Sequence, residues 1–368
     1  MGTEDEQPEA DGLDPGDLEH HLLGARRTLT RVQVADKAGV PLELAEELWG
    51  QLGFPHTDDD DVAFTRHDVK ALKRTAELVS LGILEPDSQA ALVRTWGRSF
   101  ARLAEWQVSL LAGIALSDDE PEQRLDELLG SVLPNVGKLQ DYVWRRHLVS
   151  AAQRLLPQAD GATQSRQAVC FTDIVGYTSQ SKNLTESELV DLVERFEDEV
   201  TRRVVDVGGR VIKTIGDEVL FVTDEPRATV DVALSLTERG EDGDDDFPRV
   251  RAGVAFGDVT SRLGDVFGPT VNIASRLTSI ARPGAVLVDR GAFDALTGHD
   301  EPPDTAPDGT PLARLIDRAA DELAELSPYA ERGDLKFRRL RRQSVKGYRH
   351  LEPWLVRRRQ WQEGDRPE

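Results

Sequence analysis

The chain has 368 residues, 39% hydrophobic and 30% charged, enough apolar material for two or three domains with cores of their own. Its 45 Lys and Arg stand against 67 Asp and Glu, a net charge of −22 that repels phosphate backbones and anionic lipid. A single cysteine, Cys170, excludes an internal disulfide framework and any cysteine-based zinc site. There is no signal pattern at the N-terminus, and the longest apolar stretch, around Val108–Leu116, is far shorter than the ~20 residues of a spanning helix. Composition thus predicts a soluble, cytoplasmic protein with no membrane contact and little attraction for nucleic acid.

Residues 1–19 carry eight acids and no Lys or Arg, which predicts a disordered tail. From 20 to 157 the pattern is helical, and we read an all-helical domain there. Thr30–Ala38 and Pro41–Leu52 are predicted as two short helices joined at Gly39. Thr65 with Asp68 forms a capping pattern ahead of Val69, Leu72, Ala76 and Val79 on one helical face. Pro86 and Pro121 stand at helix starts. Gly137–Leu156 is predicted as a last amphipathic helix, a connector, before a hinge at 158–165.

From 166 to 358 the texture changes to strands interleaved with helices, followed by a tail at 359–368. Strands are expected at Gln167–Ile174, Arg210–Thr214 and Glu218–Thr223, the last two joined by a tight turn at Gly216-Asp217. Helices are expected at Thr185–Val205, opened by Thr185 and Glu188, then at Ala228–Arg239 and Thr270–Ile280. Arg249–Phe256, Asp258–Arg262 and Ala285–Asp289 read as further strands. A Pro/Asp-rich insertion at His299–Pro311 precedes a helix at Leu312–Leu326 and a final pair of strands within Leu335–Val356. The expectation is an α+β fold with one sheet covered by helices on one face.

Two carboxylates sit where chemistry is possible. Asp173 ends an apolar strand just before a loop containing Gly176, and Asp217 sits at a hairpin tip. A carboxylate at a strand end suits a hard divalent cation, and neighbouring backbone N–H groups suit phosphate oxygens. Each aspartate alone also suits a turn or a helix cap. Asn272 and Arg276, four apart on a helix, share one face, where an amide and a guanidinium could meet a phosphate together. Lys213 is a lone cation in an apolar strand.

In order, Phe171-Thr172-Asp173-Ile174-Val175-Gly176-Tyr177-Thr178, Lys213-Thr214-Ile215-Gly216-Asp217 and Gly264-Asp265-Val266-Phe267-Gly268 running into Val271-Asn272-Ile273-Ala274-Ser275-Arg276 resemble the class III nucleotidyl cyclases. The resemblance spans roughly 167–296, with an extension to Val356, and implies a ferredoxin-like α+β catalytic domain. It also implies roles. Asp173, Asp217 and the Ile174 carbonyl would hold two divalent cations, Mg²⁺ or Mn²⁺. The backbone at Gly176, Tyr177 and Thr178 would meet the triphosphate of ATP. Lys213 and Asp265 would read adenine, whose N1 accepts and whose 6-amino group donates. Asn272 would orient the ribose and Arg276 would counter charge on the α-phosphate. Lys346, in Ser344-Val345-Lys346-Gly347, resembles a lysine contacting the leaving pyrophosphate. Asp258 departs from the pattern, standing where many relatives have Arg or another phosphate-directed residue. In this family the site forms between two chains, which implies a homodimer.

Thr30–Asp68 resembles a helix-turn-helix of the MerR type, but its second helix, Pro41–Leu52, carries Glu43, Glu46 and Glu47 and no Lys or Arg, unlike a DNA-reading helix. The layout resembles actinobacterial soluble cyclases with a helical regulatory domain. Some of those respond to acid, and His147 on the connector is the candidate sensor. The resemblance implies a regulated adenylyl cyclase. The alternative is a DNA-binding or signalling regulator with a nucleotide-sensing, catalytically weak cyclase-like domain.

Overall fold

A computed structural model of the chain describes residues 22–81, 86–155, 164–243, 245–298, 329–341, 343–345 and 348–359. The predicted acidic tail, most of the hinge, the Pro/Asp-rich insertion, the helix at 312–326, Lys346 and the chain from 360 onward lie outside the described residues. Two compact units divide the chain, residues 1–159 and 160–368. Among the described residues no helix is long and apolar enough to cross a membrane.

The first unit is helical. Helix α1 (Arg31–Ala38) starts at a Thr30–Gln33 capping box and ends at Gly39, whose φ of 70° is the left-handed stop that glycine adopts freely. Helix α2 (Leu42–Leu52) ends the same way at Gly53. Helix α3 (Arg66–Ser80) opens at the expected Thr65–Asp68 capping box. Val34, Ala35, Val40, Ala45, Leu48 and Leu72 close a small core with Val93, and Trp49 lies 4.6 Å from Phe64 between ring centroids.

Two long helices follow, α4 (Pro86–Leu116) and α5 (Pro121–Leu155). The expected start of a separate helix at Gly137 is corrected: α5 runs unbroken for 35 residues and includes Pro134 and Gly137. Gly137 is absent from the left-handed glycines among the described residues, so it does not act as a stop. Pro134 removes one backbone donor without ending the helix.

The second unit is built on one nine-stranded sheet. In chain order it has β1 (Gln164–Ile174), α6 (Tyr177–Gln180), α7 (Glu186–Asp206), β2 (Arg210–Ile215), β3 (Glu218–Thr223), α8 (Pro226–Gly240) and β4 (Val250–Arg262). Then come β5 (Asp265–Phe267), α9 (Pro269–Ile280), β6 (Val286–Val288), α10 (Arg290–Thr297), β7 (Tyr329–Arg332) and β8 (Leu335–Arg339). A small hairpin of β9 (Gln343–Val345) and β10 (Tyr348–Leu351) precedes β11 (Trp354–Arg358), so the expected final pair of strands is β8 and β11 with this hairpin between them.

The strand order is β2-β3-β1-β4-β6-β11-β8-β7, with β5 on the far end of β4. The run β1-α7-β2-β3-α8-β4, ordered 4-1-3-2, is the ferredoxin-like split βαβ. Only the β4–β6 pair is parallel among the described pairings.

Two expectations are corrected here. Arg249–Phe256 and Asp258–Arg262 are one strand, β4, because Gly257 does not break it. Gly257 instead lets the start of α9 come close, a Cβ there lying 3.0 Å from Thr270 Oγ1. The sheet is covered on both faces, not one. Cys170, Ile174, Val219, Phe221, Val250 and Val254 pack under α7, α8 and α10, whereas Val169, Phe171, Leu220, Val222, Ala255 and Val259 pack under α9. Both parities of the central strands are apolar, as a twice-covered sheet requires.

Helix α7 shows how sequence becomes packing. A Thr185–Glu188 capping box opens it, and Leu192, Phe196, Val200 and Val204, each one turn apart, are buried on the sheet. On the same helix the buried Glu199 takes ion pairs from Arg202, Arg203 and Arg239. Burial alone would raise its carboxyl, but the three guanidinium hydrogen bonds outweigh it and hold the pKa at about 2. Opposite, Gly253 of β4 lies so close to Ala274 and Thr278 that a Cβ would collide with the backbone of α9. Thr278 Oγ1 donates to the Phe171 carbonyl at 3.1 Å and fixes that approach.

Gly253→Ala is expected to destabilise the second unit by about 1–3 kcal/mol through overpacking. Gly243→Ala, where a Cβ meets nothing within 4 Å, serves as the neutral control in denaturant melts. Because folding lowers the Glu199 pKa, its stabilisation is present above about pH 4.5 and is lost as pH falls toward about 2. Glu199→Gln should be less stable than the unsubstituted chain at pH 7, and urea melts down the pH scale should show that difference shrinking across this window.

Candidate active site

Three adjacent strands bring three charged residues into one row. Asp173, next to last in β1, is in register with Glu218 at the start of β3 and with Arg251 near the start of β4. Side-chain alternation puts all three on the face covered by α9, the side of Val169, Phe171 and Leu220. Arg251 donates to Asp173 Oδ2 from Nε at 2.7 Å and from Nη2 at 2.5 Å. The Asp173 side chain is 13% exposed.

Asp217 follows Gly216, whose φ of 65° makes the β2–β3 turn. Its main-chain oxygen accepts from the Ile174 N–H at 3.1 Å, which ties the hairpin tip to the end of β1. Burial raises the Asp217 carboxyl above its usual range, and the nearby charge of Asp173 adds to the rise. Glu218 is pushed up to about 7, by burial first and then by Asp173 and Asp217. Asp217 and Glu218, both pushed up beside Asp173, are oxygen donors whose crowding a hard cation would relieve. Among the described residues no three or more His, Cys, Asp or Glu converge as a ready metal cage.

The loop after β1 turns at Gly176 (φ 74°) into the one-turn helix α6, which no side chain caps and whose Ser179 and Gln180 N–H groups donate to the Gly176 carbonyl. The Tyr177 ring packs on the core, and Thr178 is exposed.

Lys213 reaches Asp265 across 52 residues of chain, with Nζ 2.6 Å from Oδ2. A bulge makes this possible. Val211 pairs with Phe221 but Lys213 with Leu220, so Ile212 is the extra residue. Without it Lys213 would fall opposite Val219, on the α7–α8 side. Asp265 is carried back by a turn at Leu263 and Gly264, both with positive φ, as a two-residue primed hairpin turn requires. Its second oxygen accepts from the Val266 N–H at 2.8 Å.

Asn272 and Arg276 lie four apart on α9, Asn272 exposed and Arg276 half-buried, while Ala274 and Leu277 face the sheet. Neither side chain makes a hydrogen bond or ion pair among the described residues. Nor does any such bond there join Asp173 or Asp217 to Lys213, Asp265, Asn272 or Arg276. The bonds that are present thus form two separate sets, Arg251 with Asp173 and Lys213 with Asp265.

Asp258 alternates to the face opposite Asp173 and Arg251, with its exposed side chain in register with Arg166, and so stands away from the carboxylate row. Arg251 and Glu218 were missed by sequence reasoning. Arg251 had a signal, since it is the lone cation in the otherwise apolar Val250–Phe256 run, as Lys213 is in its own strand. Its pairing with Asp173, 78 residues away, is not visible in local pattern.

The family described as the adenylate and guanylate cyclase catalytic domain matches residues 162–303. The chain is 38% identical to an adenylate cyclase of Streptomyces coelicolor, over 97% of this chain and 95% of the relative. It is 40% identical to an adenylate cyclase of Glutamicibacter nicotianae, over 77% and 75% of the two chains. A pH-sensitive adenylate cyclase of Mycobacterium tuberculosis is 34% identical over 75% and 72%. The chain belongs to the class III nucleotidyl cyclase family.

Proposed function

We propose that the chain is an adenylyl cyclase that converts ATP to 3′,5′-cyclic AMP and pyrophosphate at sites shared between two copies. Its curated relatives over most of the chain carry adenylate cyclase names. The observation that carries the base preference is the Lys213–Asp265 contact. It supplies one donor and one acceptor side by side, matching the N1 acceptor and 6-amino donor of adenine. Guanine reverses both, so it meets like partners.

In the reaction the ribose 3′-oxygen attacks the α-phosphorus, the bond from that phosphorus to the bridging oxygen breaks, and pyrophosphate leaves with that oxygen. The 3′-hydroxyl proton passes to solvent. Because ATP contains its own nucleophile, the protein's task is orientation and charge. Asp173, Asp217 and the Ile174 carbonyl would hold divalent cations, Mg²⁺ or Mn²⁺, which when bound polarise the phosphate and balance its charge. Arg251, paired with Asp173 on the same face, would be a neighbouring guanidinium for phosphate oxygens. Backbone N–H groups at Gly176, Tyr177 and Thr178 suit the triphosphate. Asn272 orients the ribose, Arg276 counters charge growing on the α-phosphate, and Lys346 serves the leaving pyrophosphate.

The family resemblance supports the shared site. Each copy would lend its carboxylates to the partner's Lys213, Asp265, Asn272 and Arg276, giving two equivalent sites in a symmetric pair. The helical unit is the regulatory part in this reading. Proton concentration is its candidate input: one relative is named as pH-sensitive, and His147 stands exposed on α5.

Purified protein should form cyclic AMP from ATP, and far less cyclic GMP from GTP, with Mg²⁺ or Mn²⁺, and a chelator should abolish both. Asp173→Ala and Arg276→Ala should each lose at least about a hundredfold in rate, the scale of losing one transition-state contact. A mixture of the two should regain part of the activity, since one hybrid site keeps both wild-type halves. No recovery in dimers shown to exchange subunits would rule out shared sites.

A further inference from the structure

The last turns of α2 border a cavity that the core of the helical unit leaves unfilled. Leu29, ahead of α1, bridges to Phe64, which brings the loop after α2 back beside the start of the helices. The cavity this leaves has a volume of about 350 Å³, within the range of small-molecule sites, about 300–1,000 Å³. Trp49, Gly50, Phe54 and Phe64 line it, with Arg27, Arg31 and Glu46 among its polar groups. The rings of Trp49 and Phe64 lie 4.6 Å apart at a tilt of 32°, and Phe54 adds a third ring that is 52% exposed. Arg31 is enclosed, its side chain only 14% exposed. Its Nε donates to Asp59 Oδ1 at 2.7 Å and its Nη1 lies 2.6 Å from Glu46 Oε1. Its Nη2 donates no hydrogen bond among the described residues, which leaves N–H groups for an acceptor inside the cavity.

Gly50 is the second sign of a built site. Glycine within a helix costs about 1 kcal/mol against alanine, and here no close neighbour demands it, since a Cβ would meet nothing within 4 Å. Because Gly50 lines the cavity, a side chain there would take up its space. Charge selects the ligand. Three carboxylates, Glu46, Asp68 and the Asp59 held by Arg31, stand against the guanidiniums of Arg27 and Arg31, so a phosphate or carboxylate gains no net attraction. Aromatic walls with one enclosed donor suit a flat, neutral ring system that carries an oxygen acceptor. We infer that this cavity binds a neutral planar aromatic molecule, its rings against Trp49, Phe54 and Phe64 and its carbonyl-type oxygen on Arg31. Exposed Glu43 and Glu47 make α2 a poor reader of DNA, and the helix-turn-helix-like fold presents a ligand site in place of that role. The site lies wholly in the first unit and does not depend on the cyclase reading.

The test is calorimetric titration of the full-length protein with three probes. Naphthamide has both the rings and a neutral acceptor, naphthoate replaces that acceptor by an anion, and cyclohexanecarboxamide lacks the aromatic rings. Naphthamide should bind at least about tenfold more tightly than either of the others. Gly50→Leu removes a helix-weakening glycine and fills the cavity, so it should abolish naphthamide binding without lowering the melting temperature. Phe54→Ala, which truncates a half-exposed ring, should weaken binding about tenfold. Arg31→Lys keeps a cation between Glu46 and Asp59 but loses the forked donor, and should also weaken it at least about tenfold. Absence of naphthamide binding at millimolar concentration, equal affinity for the three probes, or unchanged binding in Gly50→Leu overturns the site. Tighter binding of naphthoate than of naphthamide overturns the assignment of a neutral ligand.

Discussion

Strand β1 is hydrogen-bonded along both edges, to β3 on one side and along its whole length to β4 on the other. This double pairing sets the register of everything near the candidate site. Because side chains alternate with a period of two, a slip of one residue against either neighbour would turn Asp173 away from Glu218 or Arg251 and toward the α7–α8 face. The buried residues on either side make such a slip costly, since Val169 and Phe171 would trade faces with Cys170 and Thr172. The charged row at the strand ends is thus held in place by the apolar core a few residues upstream.

The second face of the sheet links that core to chemistry. Gly253 admits α9 to direct contact with β4, and Thr278 ties it to β1. One helix can then do two things: its Ala274 and Leu277 side fills the core, and its Asn272 and Arg276 side stays free for a ligand. The Lys213–Asp265 pair is placed by comparable economy, through one extra residue in β2 and one tight turn after β4. These local irregularities in otherwise regular strands re-aim side chains at the proposed purine site without disturbing the packing beneath.

The charges of the two clusters suit the two ends of the nucleotide in the proposed function. Crowded carboxyls at Asp173, Asp217 and Glu218 suit cations in the proposed site, whereas Arg276 and the Lys213–Asp265 pair suit the phosphate and base of a nucleotide. Nucleotide and cations arrive together, so the two clusters are complementary to opposite ends of one ligand. In the proposed pair, the carboxylates of each copy would meet Lys213, Asp265, Asn272 and Arg276 of the other.

Much of this was legible in the sequence, and the reasons are local. The Thr65–Asp68 and Thr185–Glu188 capping boxes, the stop at Gly39 and the turn at Gly216-Asp217 depend only on neighbours within a few residues, so pattern alone located them. The order of the polar motifs carried the family resemblance in the same way, because each motif is a short run around one loop or helix start. Other features were decided only by folding. The bulge at Ile212 cannot be read from Val211-Ile212-Lys213, since its presence depends on which residue of β3 lies opposite. Gly257 and Gly253 look like strand breakers until a helix is seen resting against them. Gly137 looks like a boundary, but a glycine ends a helix only when its backbone turns left-handed, which the sequence does not state. The pairing of Arg251 with Asp173 joins residues 78 apart in the chain, and only the antiparallel register of β1 and β4 makes them neighbours. Sequence determined the elements and the types of chemical group, because those follow from short-range sterics and hydrogen bonding. Tertiary structure decided which groups share a face, because that depends on register between strands distant in the chain.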